Sequence, residues 1–310
     1  MLTAQLIIAR AANIGASVLF AGIFTFELVI FAPARRLGSG NFQHIERRLF
    51  RLATWSLVVA LLSCVFWFWL EVASMSGLFF NNALSATAWR TVLFETRFGR
   101  VWQVRLALIL VAFALIGLRS KEFKARSALI AILTLVSVVH LVLLACISHA
   151  AAARVQPLGL LGDALHLCAA GGWLGGLVPL TIFLARSDDS FSASKSVVQA
   201  LGRFSTLSLC CVSLLIATGI SNSWLLVGSI HALFATVYGW LLVSKLTLFA
   251  VLIGFGARNR LATKTNLVSA QTGSGLLPQL RRNVICEACL GALVVAIVAC
   301  LGVTPPASHP

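Results

Sequence analysis

Two histidines, His149 and His166, lie in an apolar stretch rich in glycine and alanine, SHAAAARVQPLGLLGDALHLCAAGGWLGGL, from Ser148 to Leu177. An imidazole ring is costly in hydrocarbon and usually faces a cavity or a partner there. One interpretation is a hydrogen bond from each ring to a neighbouring helix. The other is a metal site, because the neutral imidazole nitrogen is a common metal ligand.

Other ligand-type side chains occur at helical spacing. Asp163 precedes His166 by three residues, so the two share one helical face. A carboxylate there can accept the second ring N–H and make the other nitrogen a better ligand, although Asp163 is also suited to cap a helix. Glu71 and Met75 are spaced i and i+4. Thioether and imidazole groups suit Cu(I), and imidazole also suits Cu(II).

The composition indicates that the elements which position these residues are membrane helices. Of the 310 residues, 59% are hydrophobic and only 11% are charged, against about 25% charged residues in soluble domains. Apolar windows of about 20 residues predict an all-α, polytopic membrane protein with eight transmembrane helices in a single domain, residues 1–310. No internal repeat is evident. The predicted helices are Gln5–Ala32, Leu52–Ser76, Trp102–Leu118, Ser127–Ala150, Leu158–Leu184, Phe204–Val227, Phe234–Ala257 and Val284–Val303.

The basic residues predict the orientation in the lipid bilayer. The formal net charge is +15, and most lysines and arginines fall in the loops after the first, third, fifth and seventh predicted helices. The positive-inside rule places those loops in the cytoplasm and both termini in the periplasm. Because the charge is spread over short loops, a nucleic-acid partner is excluded. All histidines except His44 then lie toward the periplasm: His140, His149, His166, His231 and His309.

Other polar groups fit structural roles. Lys245 and Glu287 are expected to form an ion pair between the last two helices. The eight cysteines all lie in predicted helices, so no disulfide framework is expected. No nucleotide-binding loop and no nucleophile–base arrangement is present, so we expect no enzymatic activity.

Eight longer segments follow one another along the chain: SMSGLF (74–79), ETRFGRVWQVR (95–105), SHAAA (148–152), DALHLCAAGGWLGGLVPL (163–180), RFSTLSL (203–209), ATVYGWLLVSKLTLF (235–249), ARNRL (257–261) and LRRNVICEACLGALVVAIVACLG (280–302). In this order and spacing the chain resembles the CopD/PcoD family of bacterial copper-resistance proteins of the inner membrane. The N-terminal fifty residues match least distinctively.

The resemblance implies that the protein accepts copper, as Cu(I) or Cu(II), at the periplasmic face and moves it toward the cytoplasm. It also implies a small periplasmic copper-binding partner of the CopC type. The metal ligands implied are Met75, His149 and His166, with Asp163 in support of His166. Secondary candidates are His140 and Glu71 as ligands and His231 and His309 as capture residues at the outer face.

Two other functions stay open. One is a b-type haem electron-transfer protein, in which His140 and His166 on adjacent helices would be the axial ligands. The other is a scaffold or sensor that binds copper without moving it.

Overall fold

The structure is a computed structural model and describes residues 2–37, 42–76, 86–118, 123–148, 156–185, 195–227, 229–268 and 276–306. Its regular elements in these ranges are helices, without any strand. A π-helical turn, Glu27–Phe31, joins the first two α-helices. The α-helices are α1 Leu2–Phe26, α2 Ala32–Arg35, α3 Gln43–Ser76, α4 Ala86–Glu95, α5 Arg97–Gly117, α6 Phe123–Val142, α7 Gln156–Leu184, α8 Lys195–Val227, α9 Ile230–Ala235, α10 Val237–Val268 and α11 Leu276–Leu301.

Eight helical segments in the described ranges are long and apolar enough to cross a membrane. They overlap all eight predicted helices, so the all-α, multi-pass prediction is confirmed. The bounds differ most at five helix ends. The helices α3, α8 and α11 begin earlier than predicted, at Gln43, Lys195 and Leu276 rather than Leu52, Phe204 and Val284. The helix α6 ends at Val142 rather than Ala150, and α10 extends to Val268 rather than Ala257. After α6 the chain turns through a short 3-10 segment, Ala145–Ile147.

The helices α1 and α7 form the centre of the bundle. They cross where Gly22 faces Gly175: a Cβ on Gly22 would lie 2.1 Å from the carbonyl carbon of Gly175. A Cβ on Gly175 would in turn lie 2.2 Å from the carbonyl oxygen of Val18. Small residues allow such close approach of helices in lipid. Around the crossing, α1 also packs on α3, α6 and α11, and α7 packs on α8, α11 and α6.

Two corners of the bundle are built alike. The short helix α4 leads through Thr96 into α5, and the short helix α9 leads through Thr236 into α10. The hydroxyl of Thr96 donates to the Val92 carbonyl (2.6 Å) and accepts from the backbone N–H of Gly99 (2.9 Å). The hydroxyl of Thr236 makes the equivalent pair of bonds: it donates to the Ala232 carbonyl (2.8 Å) and accepts from the backbone N–H of Gly239 (3.0 Å). The surrounding sequences, LFETRFG and LFATVYG, repeat as well. The expectation of no internal repeat is therefore wrong for these corners.

An ion-pair network closes one end of the first half of the chain. Arg126 contacts Glu46 at 2.6 Å and Glu27 at 3.5 Å, and Arg35 also contacts Glu46. Glu27 is 2% exposed and lies in the π-helical turn. We call this end, where α3, α6, α8 and α11 begin, the basic end. The opposite end, where α5, α7 and α10 begin, is the histidine end.

A bond between the halves lies at the basic end, next to the π-helical turn. Pro33 has no N–H to donate to the Val29 carbonyl four residues earlier. Arg203 of α8 donates to that carbonyl instead, at 3.2 Å. The break in the backbone hydrogen bonding of the first transmembrane segment is thus satisfied by a side chain from the second half of the chain.

Replacement of Gly22 by alanine should destabilise the bundle. The added methyl would meet the backbone of Gly175, so α1 and α7 must separate and lose packing along their length. We expect a loss of about 3 kcal/mol, the upper end for overpacking, measured as a lower Tm of the purified protein in detergent. The control is Gly254→Ala on α10, where nothing lies within 4 Å of the added atom. Equal Tm values for the two variants would contradict the crossing.

Candidate metal centre

His166 lies on α7 and faces α8. Its Nδ1 is 2.9 Å from the hydroxyl oxygen of Thr218. That hydroxyl has a single proton, and its oxygen lies 2.7 Å from the Leu214 carbonyl oxygen. Because the contact with the carbonyl is the shorter of the two, we assign the hydroxyl proton to Leu214; His166 then donates through Nδ1–H, and its Nε2 carries the lone pair. A neutral imidazole held in one tautomer, with the other nitrogen as acceptor, is the form that binds a metal ion.

Asp163 takes a different partner from the one expected. Its Oδ1 accepts from the side-chain amide of Asn222 on α8 at 2.8 Å, whereas the bonded nitrogen of His166 contacts Thr218. Lys245 of α10 interacts electrostatically with both Asp163 and His166. We call Asp163, His166, Thr218, Asn222 and Lys245 the His166 cluster. It brings two of the predicted site residues together with three that the sequence did not single out.

The other predicted site residues lie elsewhere or outside the described ranges. His149 and His309 lie outside the described residues, so their roles stay predictions. Met75 lies near the end of α3 and is 53% exposed, and His231 is exposed on α9. Glu71 accepts from the indole N–H of Trp67 at 2.9 Å and lies 3.8 Å from the guanidinium of Arg10.

His140 belongs to a second polar group, which we call the Arg105 cluster. The Nη2 of Arg105 lies 2.7 Å from Asn13 Oδ1, 3.2 Å from Ser17 Oγ and 3.2 Å from His140 Nε2. The amide of Asn13 donates in turn to Ser63 of α3 at 3.2 Å. Arg105 and His140 are each 1% exposed. The cluster joins the four transmembrane helices α1, α3, α5 and α6.

The geometry gives His140 a hydrogen-bonding role. A guanidinium only donates, so His140 Nε2 accepts from Arg105 and the ring proton lies on Nδ1. The lone pair that a metal would need is therefore occupied, and a cation lies 3.2 Å away. The sequence carried a signal for this cluster, because Arg105 is a charged residue inside the third predicted helix.

The haem alternative is not supported. His140 binds α1 and α5, whereas His166 binds α8, so the two rings belong to different groups of helices. Among the described residues there is also no cluster of three or more histidine, cysteine or acidic side chains. A complete metal site would thus need ligands from the predicted residues that lie outside these ranges.

The expected Lys245–Glu287 ion pair is wrong. Glu287 is 3% exposed and accepts from the side-chain amide of Asn259 on α10. Lys245 lies toward the histidine end, beside Asp163. Adjacent helices were correctly paired, but the two charges lie at different depths.

A cavity of about 190 Å³ lies on the basic side of the His166 cluster. It is partly open and is lined by α7, α8, α10 and α11. Trp173, which is 2% exposed, lines it at mid-helix, and Arg260 lines it toward the basic end. Most of its wall is apolar; the polar side chains in the wall are Ser205, Ser208, Asn259, Arg260 and Glu287.

Two family models match the chain. Residues 1–156 match Copper resistance protein D-like, N-terminal domain, and residues 198–301 match Copper resistance protein D. The chain belongs to the copper resistance protein D family. The resemblance found in the sequence is thereby confirmed. The first match covers the first four transmembrane helices and the second covers the last three, while most of α7 lies between the two matches.

Curated relatives of this family member carry related names. The copper transport protein CutJ of Bacillus subtilis (strain 168) is 29% identical over 79% of this chain, which spans only 44% of CutJ. The inner membrane protein YebZ of Escherichia coli (strain K12) is 25% identical over 88% of both chains. Copper resistance protein D of Pseudomonas syringae pv. tomato is 24% identical over 68% of this chain and 70% of its own. No solved structure matches the chain.

Replacement of His140 by leucine should lower stability without changing copper binding. Arg105 would lose an acceptor inside the bundle, which costs about 1–3 kcal/mol. We expect a lower Tm together with the parent copper affinity in a Cu(I) competition titration. Leu135→Val, at a lipid-facing position of the same helix, is the control for Tm. A folded His140→Leu protein with weakened copper binding would make His140 a ligand.

Proposed function

We propose that this protein binds copper at the periplasmic face of the bacterial inner membrane and moves it toward the cytoplasm. The orientation rests on the basic end, whose loops carry most of the lysines and arginines and should face the cytoplasm. Both termini and the His166 cluster then lie on the periplasmic side. Membership of a copper-resistance family supports copper as the cargo, and we propose no enzymatic activity.

The observation that carries the proposal is the contact of His166 Nδ1 with the Thr218 hydroxyl, which assigns the tautomer of the ring. Its Nδ1–H donates to Thr218, so the free Nε2 lone pair is directed by a bond that the protein itself supplies. In the proposed site His149 and Met75 complete the coordination, because imidazole and thioether both suit Cu(I). Asp163 balances Lys245 and so limits repulsion between that ammonium group and the arriving cation.

A small copper-binding protein of the CopC type is the proposed periplasmic partner. Met75 and His231 are both exposed at the histidine end, and copper passes readily between proteins through ligands of these types at a surface. Binding without transport, as in a scaffold or sensor, is the second candidate, and the uptake experiment below distinguishes it.

Replacement of His166 by alanine should abolish copper uptake. The measurement is Cu(I) accumulation by proteoliposomes that contain the purified protein, with ascorbate as reductant. The parent protein should accumulate copper, and His166→Ala should fall to the level of empty liposomes with at least tenfold weaker binding. His44→Ala, at the basic end, is the control and should match the parent. Copper binding by the parent without accumulation would favour the scaffold.

Replacement of Thr218 by valine tests the tautomer separately from the ligand. Valine has nearly the same shape but cannot accept from Nδ1–H, so the ring is free to rotate or change tautomer. Loss of such a supporting bond weakens metal affinity about 10- to 100-fold, which a Cu(I) competition titration will detect. Thr206→Val, on an exposed position of the same helix, should bind as the parent does. An unchanged copper affinity in Thr218→Val would show that the bond from His166 to Thr218 does not support copper binding.

A further inference from the structure

The two halves of the chain, which we call the first and second unit, each have four transmembrane helices and share a corner motif and the spacing of the polar residues that follow it. The corners at Thr96 and Thr236 have the same bonds, and each is followed nine residues later by a basic residue, Arg105 on α5 and Lys245 on α10. Each basic residue interacts with the central helix of its own half, Arg105 with α1 and Lys245 with α7. The corner repeat therefore extends to the polar clusters.

The central helices show the same relation. Gly22 of α1 contacts Gly175 of α7, as equivalent residues do when they lie on a twofold axis. Nine residues before each glycine lie Asn13 and His166, the residues through which each central helix enters its cluster. The Arg105 cluster and the His166 cluster thus occupy corresponding places. Four spans per half give both units the same direction through the membrane.

The two units differ in how their buried charges are compensated. In the first unit, Glu27 and Glu46 are neutralised by Arg126 and Arg35. In the second unit, Glu287 receives the amide of Asn259, and no lysine or arginine of the described ranges lies within ion-pair distance of it. An ionisable side chain at membrane depth is a candidate functional residue, and Glu287 lines the cavity of the second unit.

The cavity of the second unit continues the line of the His166 cluster. Trp173 follows His166 by seven residues on α7, which places it about 10 Å nearer the basic end on the same face. On α8, Cys211 precedes Thr218 by seven residues and is 9% exposed. Its sulfur lies 3.1 Å from the position of a Cβ on Gly172. A thiol therefore lies between the imidazole and the cavity.

One polar side chain in the cavity wall has unused hydrogen-bonding capacity. The hydroxyl of Ser208 is buried and has no hydrogen-bond partner among the described residues. Ser208 precedes Cys211 by three residues, so both lie on the face of α8 that meets α7. From the histidine end toward the basic end, that face carries Thr218, then Cys211, then Ser208. Ser208 lines the cavity, which Glu287 of α11 also lines.

We propose that copper crosses the membrane through the second unit alone, from His166 past the Cys211 sulfur into the cavity that ends at Glu287 and Arg260. The first unit is the equivalent structure with its path closed by Arg105 and the ion pairs of the basic end. The passage is an exchange of ligands, from the Nε2 lone pair of His166 to a sulfur lone pair of Cys211, whose thiol keeps its proton as a neutral, transient ligand; Cu(I), which nitrogen and sulfur both suit, keeps its oxidation state. This route rests on the proposed transport function.

The test fills the cavity without touching His166. Ser208→Leu places a branched side chain in the cavity, and Thr206→Leu places the same side chain on the exposed face of the same helix. Proteoliposomes supplied with Cu(I) and ascorbate should show at least a tenfold slower uptake for Ser208→Leu, with the parent copper affinity. Thr206→Leu should take up copper at the parent rate.

A second variant tests the route without adding volume to the cavity, in case Ser208→Leu misfolds. Cys211→Ala removes the sulfur and leaves space rather than filling it, and it should also slow uptake while His166 still binds copper. If the parent protein takes up copper and either variant, shown by its Tm to be folded, keeps the parent rate, the route alone is overturned. No uptake by the parent protein overturns the proposed transport, and the route with it.

Discussion

The close approach of α1 and α7 at Gly22 and Gly175 determines where polar groups can lie in this protein. With the two backbones in contact, no space for a site is left between these helices at the crossing. Their other faces point away from each other, each toward three further helices. Asn13 and His166 lie on those outer faces, so the bundle has two separate polar clusters instead of one central site.

An unpaired polar group at membrane depth costs several kcal/mol, so each cluster pairs most of its polar groups within the protein. The first cluster relies on one donor-rich side chain: the two Nη2 protons of Arg105 are shared among Asn13, Ser17 and His140. Arg105 Nε and His140 Nδ1 have no hydrogen-bond partner among the described residues. The second relies on pairs, Asp163 with Asn222 and His166 with Thr218. Pairs leave the second imidazole nitrogen of His166 available, whereas the arginine consumes the lone pair of His140. The same residue type is thus a hydrogen-bond acceptor in one half and a candidate ligand in the other.

Hydropathy predicted the eight helices because a chain in lipid must form its backbone hydrogen bonds within each segment. The local pattern of apolar residues is therefore sufficient to locate each helix. The shared face of Asp163 and His166 followed from their spacing for the same reason. Their partners could not be predicted this way, since Thr218 and Asn222 come from another helix at a register that packing sets. The predicted Lys245–Glu287 ion pair was wrong because the two residues lie at different depths in the membrane. Knowing that two helices are adjacent does not show which of their residues lie at the same depth. Arg105 carried a signal in the sequence, a charge inside a predicted span, but its partners on three other helices did not.

The bond from Arg203 to the Val29 carbonyl has a mechanical consequence. Pro33 leaves that carbonyl without its i+4 backbone donor, and Arg203 of α8 supplies a donor in its place. The helix that carries Cys211 and Ser208 is therefore fastened to the first half of the molecule by a side-chain bond beside the π-helical turn. The alignment of this cavity wall with α1 thus depends, at that end, on a proline in the first transmembrane segment.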